Sequence, residues 1–215
     1  MTAAPGFEPG APSAPAGELA FIVAATLANA AVAAFVLYGW GSAAEGTELA
    51  LRMTARVSFV WFLLAFIASP LHRLAPGAAS LFLLRHRRAF GVVFGLSMSM
   101  HVGFILRLFV LFSPERPPMV TWADFAIGIP GLALVAAMTA TSMDALKKAL
   151  GPARWRTLHR TGIHVVWAIF FLCLVDSVGR KETGHPFLAY HAFLAALVGA
   201  MALRLAAARR VARER

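Results

Sequence analysis

The chain is predicted to be an all-α integral membrane bundle of six transmembrane helices with both termini in the cytoplasm. Three observations carry that expectation. Apolar residues make up 60 % of the 215 residues and charged ones only 14 %, and the mean hydropathy is +0.72, well outside the range of a soluble domain. The apolar residues gather into runs of spanning length, and Lys and Arg gather in alternate connections between those runs.

Taken in order, the runs cover residues 19–40, 56–71, 89–112, 123–142, 158–177 and 187–205. Each is close to the roughly 20 residues that cross a hydrocarbon core, except the second, which is short and has to tilt or extend upstream. Proline and glycine mark the joins: Pro70, Pro76 with Gly77, Pro114, Pro117 with Pro118, Gly151 with Pro152, and Gly184 with Pro186. Residues 1–17 carry no Lys or Arg and are rich in Ala, Pro and Gly, which reads as a disordered tail and not as a signal peptide. Residues 18–208 form one helical domain, and 209–215 a basic C-terminal tail. The connections after runs two and four and the C-terminal end hold fourteen Lys and Arg, against five on the other side. That excess puts both ends of the chain in the cytoplasm, and the expected location is the inner (cytoplasmic) membrane of a bacterium.

The net charge of +10 flanks apolar runs instead of forming an aromatic-interleaved surface, so membrane lipid is the expected partner and nucleic acid is not. The single cysteine, Cys173, lies in an apolar run and is expected to pack in the core. Dinucleotide, P-loop, CxxC, CxxCH and HExxH patterns are all missing, which removes nucleotide binding, c-type haem and zinc hydrolysis from the expectation. Asp124, Asp144 and Asp176 stand at span ends, which disfavours a proton-coupled transporter.

Histidines carry the candidate chemistry. His101 sits within the uncharged run 89–106, where an imidazole needs a partner, and the iron of a haem is one. Thirteen residues beyond Arg88, it lies about 20 Å into its helix, in the outer half of the bilayer. A bis-histidine haem b site needs a second imidazole at similar depth on another helix. His159 and His164 open span five, lie about 140° apart around it and do not share a face. His191, one turn into span six, is the reserve ligand. The plainer reading of His101 is a packing histidine bonded to Ser97 or Ser99, and that of His159 an interfacial residue between Arg156 and Arg160. His72, His86 and His185 are expected to be solvated. Arg107, with Arg56, is placed to meet haem propionates or to snorkel to outer headgroups.

Three stretches resemble the ferric reductase-like transmembrane domain family, closest to its MsrQ/YedZ-like membrane haem subunits, which serve a periplasmic methionine sulfoxide reductase. They are residues 62–73, ending Pro70-Leu71-His72-Arg73; residues 84–91, with Arg88 and Gly91, running on to His101; and Trp155-Arg156-Thr157-Leu158-His159-Arg160. With the six-span layout the resemblance covers residues 50 to 180. It implies a haem b-binding electron-transfer subunit with one or two haems and no flavin or NAD(P)H domain of its own. Such a subunit takes electrons from a donor protein, from quinone or from flavin mononucleotide, and passes them across the membrane to an acceptor protein. By position His101 matches the span-three ligand and His159 the first histidine of span five. The family's further histidine, 13 residues on, is replaced by Leu172, so His164 or His191 substitutes or one site is missing. The alternative expectation is a haem-free membrane protein that binds quinone or another small apolar ligand, or that acts as a scaffold.

Overall fold

The computed structural model describes residues 16–39, 43–112, 122–179 and 187–214, and every element in them is helical. The elements are α1 (Ala16–Gly39), α2 (Ala43–Leu74), α3 (Ala78–Phe112), α4 (Trp122–Ala140), α5 (Asp144–Leu150), α6 (Pro152–Gly179) and α7 (Phe187–Arg213). Five of them are long and apolar enough to cross a membrane, and a sixth span results if α4 and α5, bent by 107° at their junction, count as one. The N-terminal tail expected over 1–17 lies almost wholly outside the described residues. The basic segment after residue 208 continues α7 through Arg213 and is not a separate tail in the described part.

The largest departure from the expected spans is α2, which begins thirteen residues upstream of residue 56. Glu45, Glu48 and Arg52 interrupt the apolar run there, yet the helix persists because α3 covers it. The two form an antiparallel pair whose facing residues pair polar groups: Ser58 Oγ, whose proton goes to the Thr54 carbonyl (2.7 Å), accepts from Ser97 Oγ (2.9 Å), and Arg107 Nε donates to Thr47 Oγ1 (3.1 Å). Between apolar helices, such bonds and close packing hold neighbours together, since lipid is as apolar as leucine. At the turn, Ser80 Oγ accepts from Gly77 N and donates to the carbonyls of Ala75 and Gly77, fixing the reversal around Pro76.

Proline inside α2 is accommodated by a neighbour. Pro70 has no N–H, so the carbonyl of Phe66, four residues earlier, loses its helical donor. Arg204 of α7 supplies one, its Nη1 lying 2.9 Å from that oxygen while the guanidinium sits 4.4 Å from the centroid of the Phe66 ring. Phe66 is completely buried, in a core with Phe59, Phe62, Phe94, Ile163, Val166 and Leu197. Trp167 Nε1 donates to the Leu197 carbonyl (3.0 Å), fastening α6 to α7.

Helix α4 seats itself through glycine notches. A Cβ at Gly95 would strike Thr139, one at Gly162 would strike Met138, and one at Gly131 would come within 2.6 Å of Ile169. Helix α1 is exposed along most of its length, as expected of a lipid-facing helix, and is anchored by the Arg88–Glu18 ion pair (3.8 Å) and by Phe21 against Trp61 and Phe90. Cys173, expected in the core, is exposed on α6: its neighbours on the helix point it out of the bundle.

Candidate functional site

Two regions gather the polar residues singled out by sequence. One is the basic end of the bundle, where the α2–α3 turn, the α4–α5 corner and the start of α6 meet; the other surrounds His101 towards the opposite end.

His101 faces α2. Its Nδ1 lies 3.1 Å from the Leu51 carbonyl oxygen and 3.4 Å from Thr54 Oγ1, whose own proton goes to the Ala50 carbonyl (2.8 Å). Only a donor satisfies both oxygens, so Nδ1 carries the hydrogen and Nε2 the lone pair. The serines named as possible partners are engaged elsewhere, Ser97 with Ser58 and Ser99 with the Gly95 carbonyl. His164 takes the same posture, its Nδ1 donating to the Arg160 carbonyl (2.7 Å) and its ring set edge-on to Phe66 (centroids 6.2 Å apart). A histidine whose Nδ1–H is fixed by a backbone carbonyl presents Nε2 in a set direction, as metal-ligating histidines do.

These two imidazoles do not meet. His101 contacts α2 at Leu51 and Thr54, and His164 contacts it at Phe66. Twelve to fifteen residues of helix separate those contacts, about 18 to 22 Å at 1.5 Å per residue. One iron cannot bind both. His191 is nearer in depth to His101, because its neighbours Tyr190 and Phe193 touch Arg56 and Phe59. Those α2 residues lie on a different face from Leu51 and Thr54, however, so α2 stands between the two histidines. Leu172, at the position that a further histidine usually occupies, is half-exposed on α6.

His159 lines a cavity of about 360 Å³ at the basic end. Phe62, Phe94, Val135, Ile163 and Val166 give it apolar walls, and Arg85, Arg87 and Arg88 stand at its rim. Sequence reasoning missed this space, because its walls come from four helices and only the arginine run 85–88 hinted at it. His159 is not free to act as a ligand through Nε2. That atom lies 3.1 Å from Thr141 Oγ1, and the hydroxyl spends its proton on the Ala137 carbonyl (2.7 Å), so Nε2–H donates to it. The ring also stacks on Trp155 (4.5 Å), whose Nε1 donates to the Thr141 carbonyl, and Arg88 donates twice to the Ser142 carbonyl (3.1 and 2.7 Å). Together these bonds satisfy the carbonyls set free where α4 breaks into α5.

Arg107 is held by Thr47, and Arg56 lies over the Tyr190 ring (5.8 Å). His72 bonds Ser80 and His86 the Phe82 carbonyl, both away from the cavity. His185 lies outside the described residues. No group of three or more His, Cys, Asp or Glu that would hold a metal ion occurs among the described residues. No family model matches the chain, and neither a curated protein nor a solved structure does.

The residues fit a haem in one respect and not in another. His101 and His164 each have Nδ1 fixed by a backbone carbonyl, and the cavity, which neither of them lines, has the apolar walls and arginines that a flat ring with carboxylates would need. Among the described residues no second imidazole faces either nitrogen, so a bis-histidine site is not formed by them.

Proposed function

We propose that the chain is a haem b-binding electron-transfer subunit of the membrane, of the ferric reductase-like type, with its basic end in the cytoplasm and redox partner proteins at its two ends. The observation that carries this reading is the shared posture of His101 and His164, with Nδ1 bonded to a backbone carbonyl and Nε2 left out of that bond. In this reading each histidine holds a separate group, one towards each end of the bundle, with one protein ligand apiece. Haem supplies one-electron chemistry; the chain supplies axial nitrogen, apolar surroundings and cationic partners for carboxylates. Arg107 serves the outer position. Arg85, at the rim of the cavity, serves the inner one.

The test is a reduced-minus-oxidised absorbance spectrum of the purified protein with separate His101→Ala and His164→Ala variants. Two components, each removed by one variant, are expected. A spectrum without b-type bands, or one that both variants leave intact, overturns the proposal. The unpaired geometry favours a second reading, a haem-free protein that binds quinone or a similar small ring in the cavity beside His159. A colourless preparation with saturable quinone binding that Phe94→Ala weakens would support it.

A further inference from the structure

The basic end holds positive charge that the bundle itself does not neutralise. Three arginines from three helices converge on one face of the last two turns of α2. Arg204 of α7 bonds the Phe66 carbonyl, Arg87 of α3 donates to Ser69 Oγ (3.1 Å), and Arg73 belongs to α2 itself. Positions 66, 69 and 73 follow one another along a single helical stripe, about 10 Å long. Arg204 and Arg87 thus meet α2 one turn apart, at Phe66 and Ser69, and Arg73 follows one turn further on. Arg87 and Arg204 are half-buried, and each donates to a neutral oxygen. Among the described residues none of the three pairs with a carboxylate; the nearby acids Glu18 and Glu214 are taken by Arg88 and Arg210.

Like charges held together in partly dry surroundings are stable only with a counter-charge, and forked guanidinium groups match the oxygens of a phosphate. The depth is also right. Helices α2 and α3 have 32 and 35 residues, about 48 and 52 Å long against a hydrocarbon core of about 30 Å, so the last turns of α2 reach the headgroup layer.

We propose that Arg73, Arg87 and Arg204 form a phosphate site, filled by the phosphodiester of an anionic membrane lipid. Of the three, only Arg87 lines the cavity beside His159, and its guanidinium donates to Ser69 of α2; Arg73 and Arg204 lie outside it, so the tests at those two positions read this site apart from haem binding. Phosphate is the recognised chemistry, and a free phosphate would present the same oxygens.

Thermal unfolding of the full chain in a neutral detergent tests it, with added phosphatidylglycerol or phosphatidylcholine, and separately with inorganic phosphate against chloride at equal ionic strength. Phosphatidylglycerol at about 100-fold over its Kd is expected to raise Tm by roughly 5–10 °C. Phosphatidylcholine should leave it unchanged, and Arg73→Gln should remove at least half of the shift. Because Arg204 also supports the α2 backbone, its contribution is read from Arg204→Gln in a Pro70→Ala background, where the Phe66 carbonyl has its helical donor back. A shift reproduced by inorganic phosphate but not chloride supports the site with a soluble phosphate as its occupant. A shift with phosphatidylglycerol alone supports the lipid. Equal shifts from the two lipids, equal shifts from phosphate and chloride, or a full phosphatidylglycerol shift in both variants would overturn it.

Discussion

The contact between Arg204 and the Pro70-freed carbonyl of Phe66 allows a quantitative test of how α2 tolerates a proline inside the membrane. In Arg204→Met the side chain keeps most of its apolar length but loses its fork. The Phe66 oxygen then has neither a helical donor nor a guanidinium, in a place that water does not reach. A hydrogen bond from a charged donor contributes about 1.5–3 kcal/mol, and the cation over the Phe66 ring about 0.5–1 kcal/mol more, so a loss of about 2–4 kcal/mol is expected. In Pro70→Ala the residue gains an N–H that reclaims the carbonyl, and Arg204→Met should then cost about 1–2 kcal/mol less. Reversible unfolding in mixed micelles of the four proteins gives this coupling energy directly. A coupling below about 0.3 kcal/mol, with both single variants folded, would refute the assignment and leave Arg204 as an interfacial cation whose bond to Phe66 is incidental.

Other expectations follow from the same contacts. Gly95→Ala pushes a methyl group into Thr139 and should cost about 1–3 kcal/mol of stability, recovered in large part by Thr139→Ala; unfolding midpoints of the single and double variants decide it. His159→Leu removes the tie to Thr141 and is expected to lower stability by about 1 kcal/mol while leaving any b-type spectrum unchanged, a result that separates it from His101 and His164. Ser58→Ala removes the bond to Ser97 and should cost only about 0.6 kcal/mol, the usual scale of such bonds between membrane helices, measured by the same unfolding assay.

Which residues lie in helices was legible in the sequence wherever apolar composition decided it, and illegible where a neighbour did. Residues 43–55 contain Glu45, Glu48 and Arg52, so no hydropathy window extends α2 through them; the helix is held by Thr47, Leu51 and Thr54 against α3, contacts that exist only after folding. The bend between α4 and α5 follows from Lys147 and Lys148 ending an apolar run, but its angle depends on Trp155, His159 and Arg88 binding the free polar groups at the corner. Distance along a helix could be counted from sequence, and the structure places His159 and His101 in different parts of the bundle, against Thr141 and against Leu51. Direction could not, because the face of α3 that carries His101 is chosen by its polar partners on α2.

That choice of face bears on how the two bare imidazole nitrogens are to be understood. A histidine kept only to pack two helices needs one donor bond across the interface, and His101 makes it through Nδ1. Its second nitrogen takes no part in that bond, and an asparagine or threonine at position 101 would make the interhelical contact without it. His164 makes the corresponding bond within its own helix and meets α2 through its ring, edge-on to Phe66. Packing therefore accounts for the Nδ1 bond of His101 and the ring contact of His164, whereas the proposed function adds a ligand on Nε2 of each. Their separation of about 18 to 22 Å along α2 leaves room for one such ligand near each end of the bundle and excludes a single shared one. A His101→Asn variant distinguishes these accounts: it retains a donor for the Leu51 carbonyl, so full stability with loss of a spectral component identifies a ligand, and full stability with no spectral change identifies a packing residue.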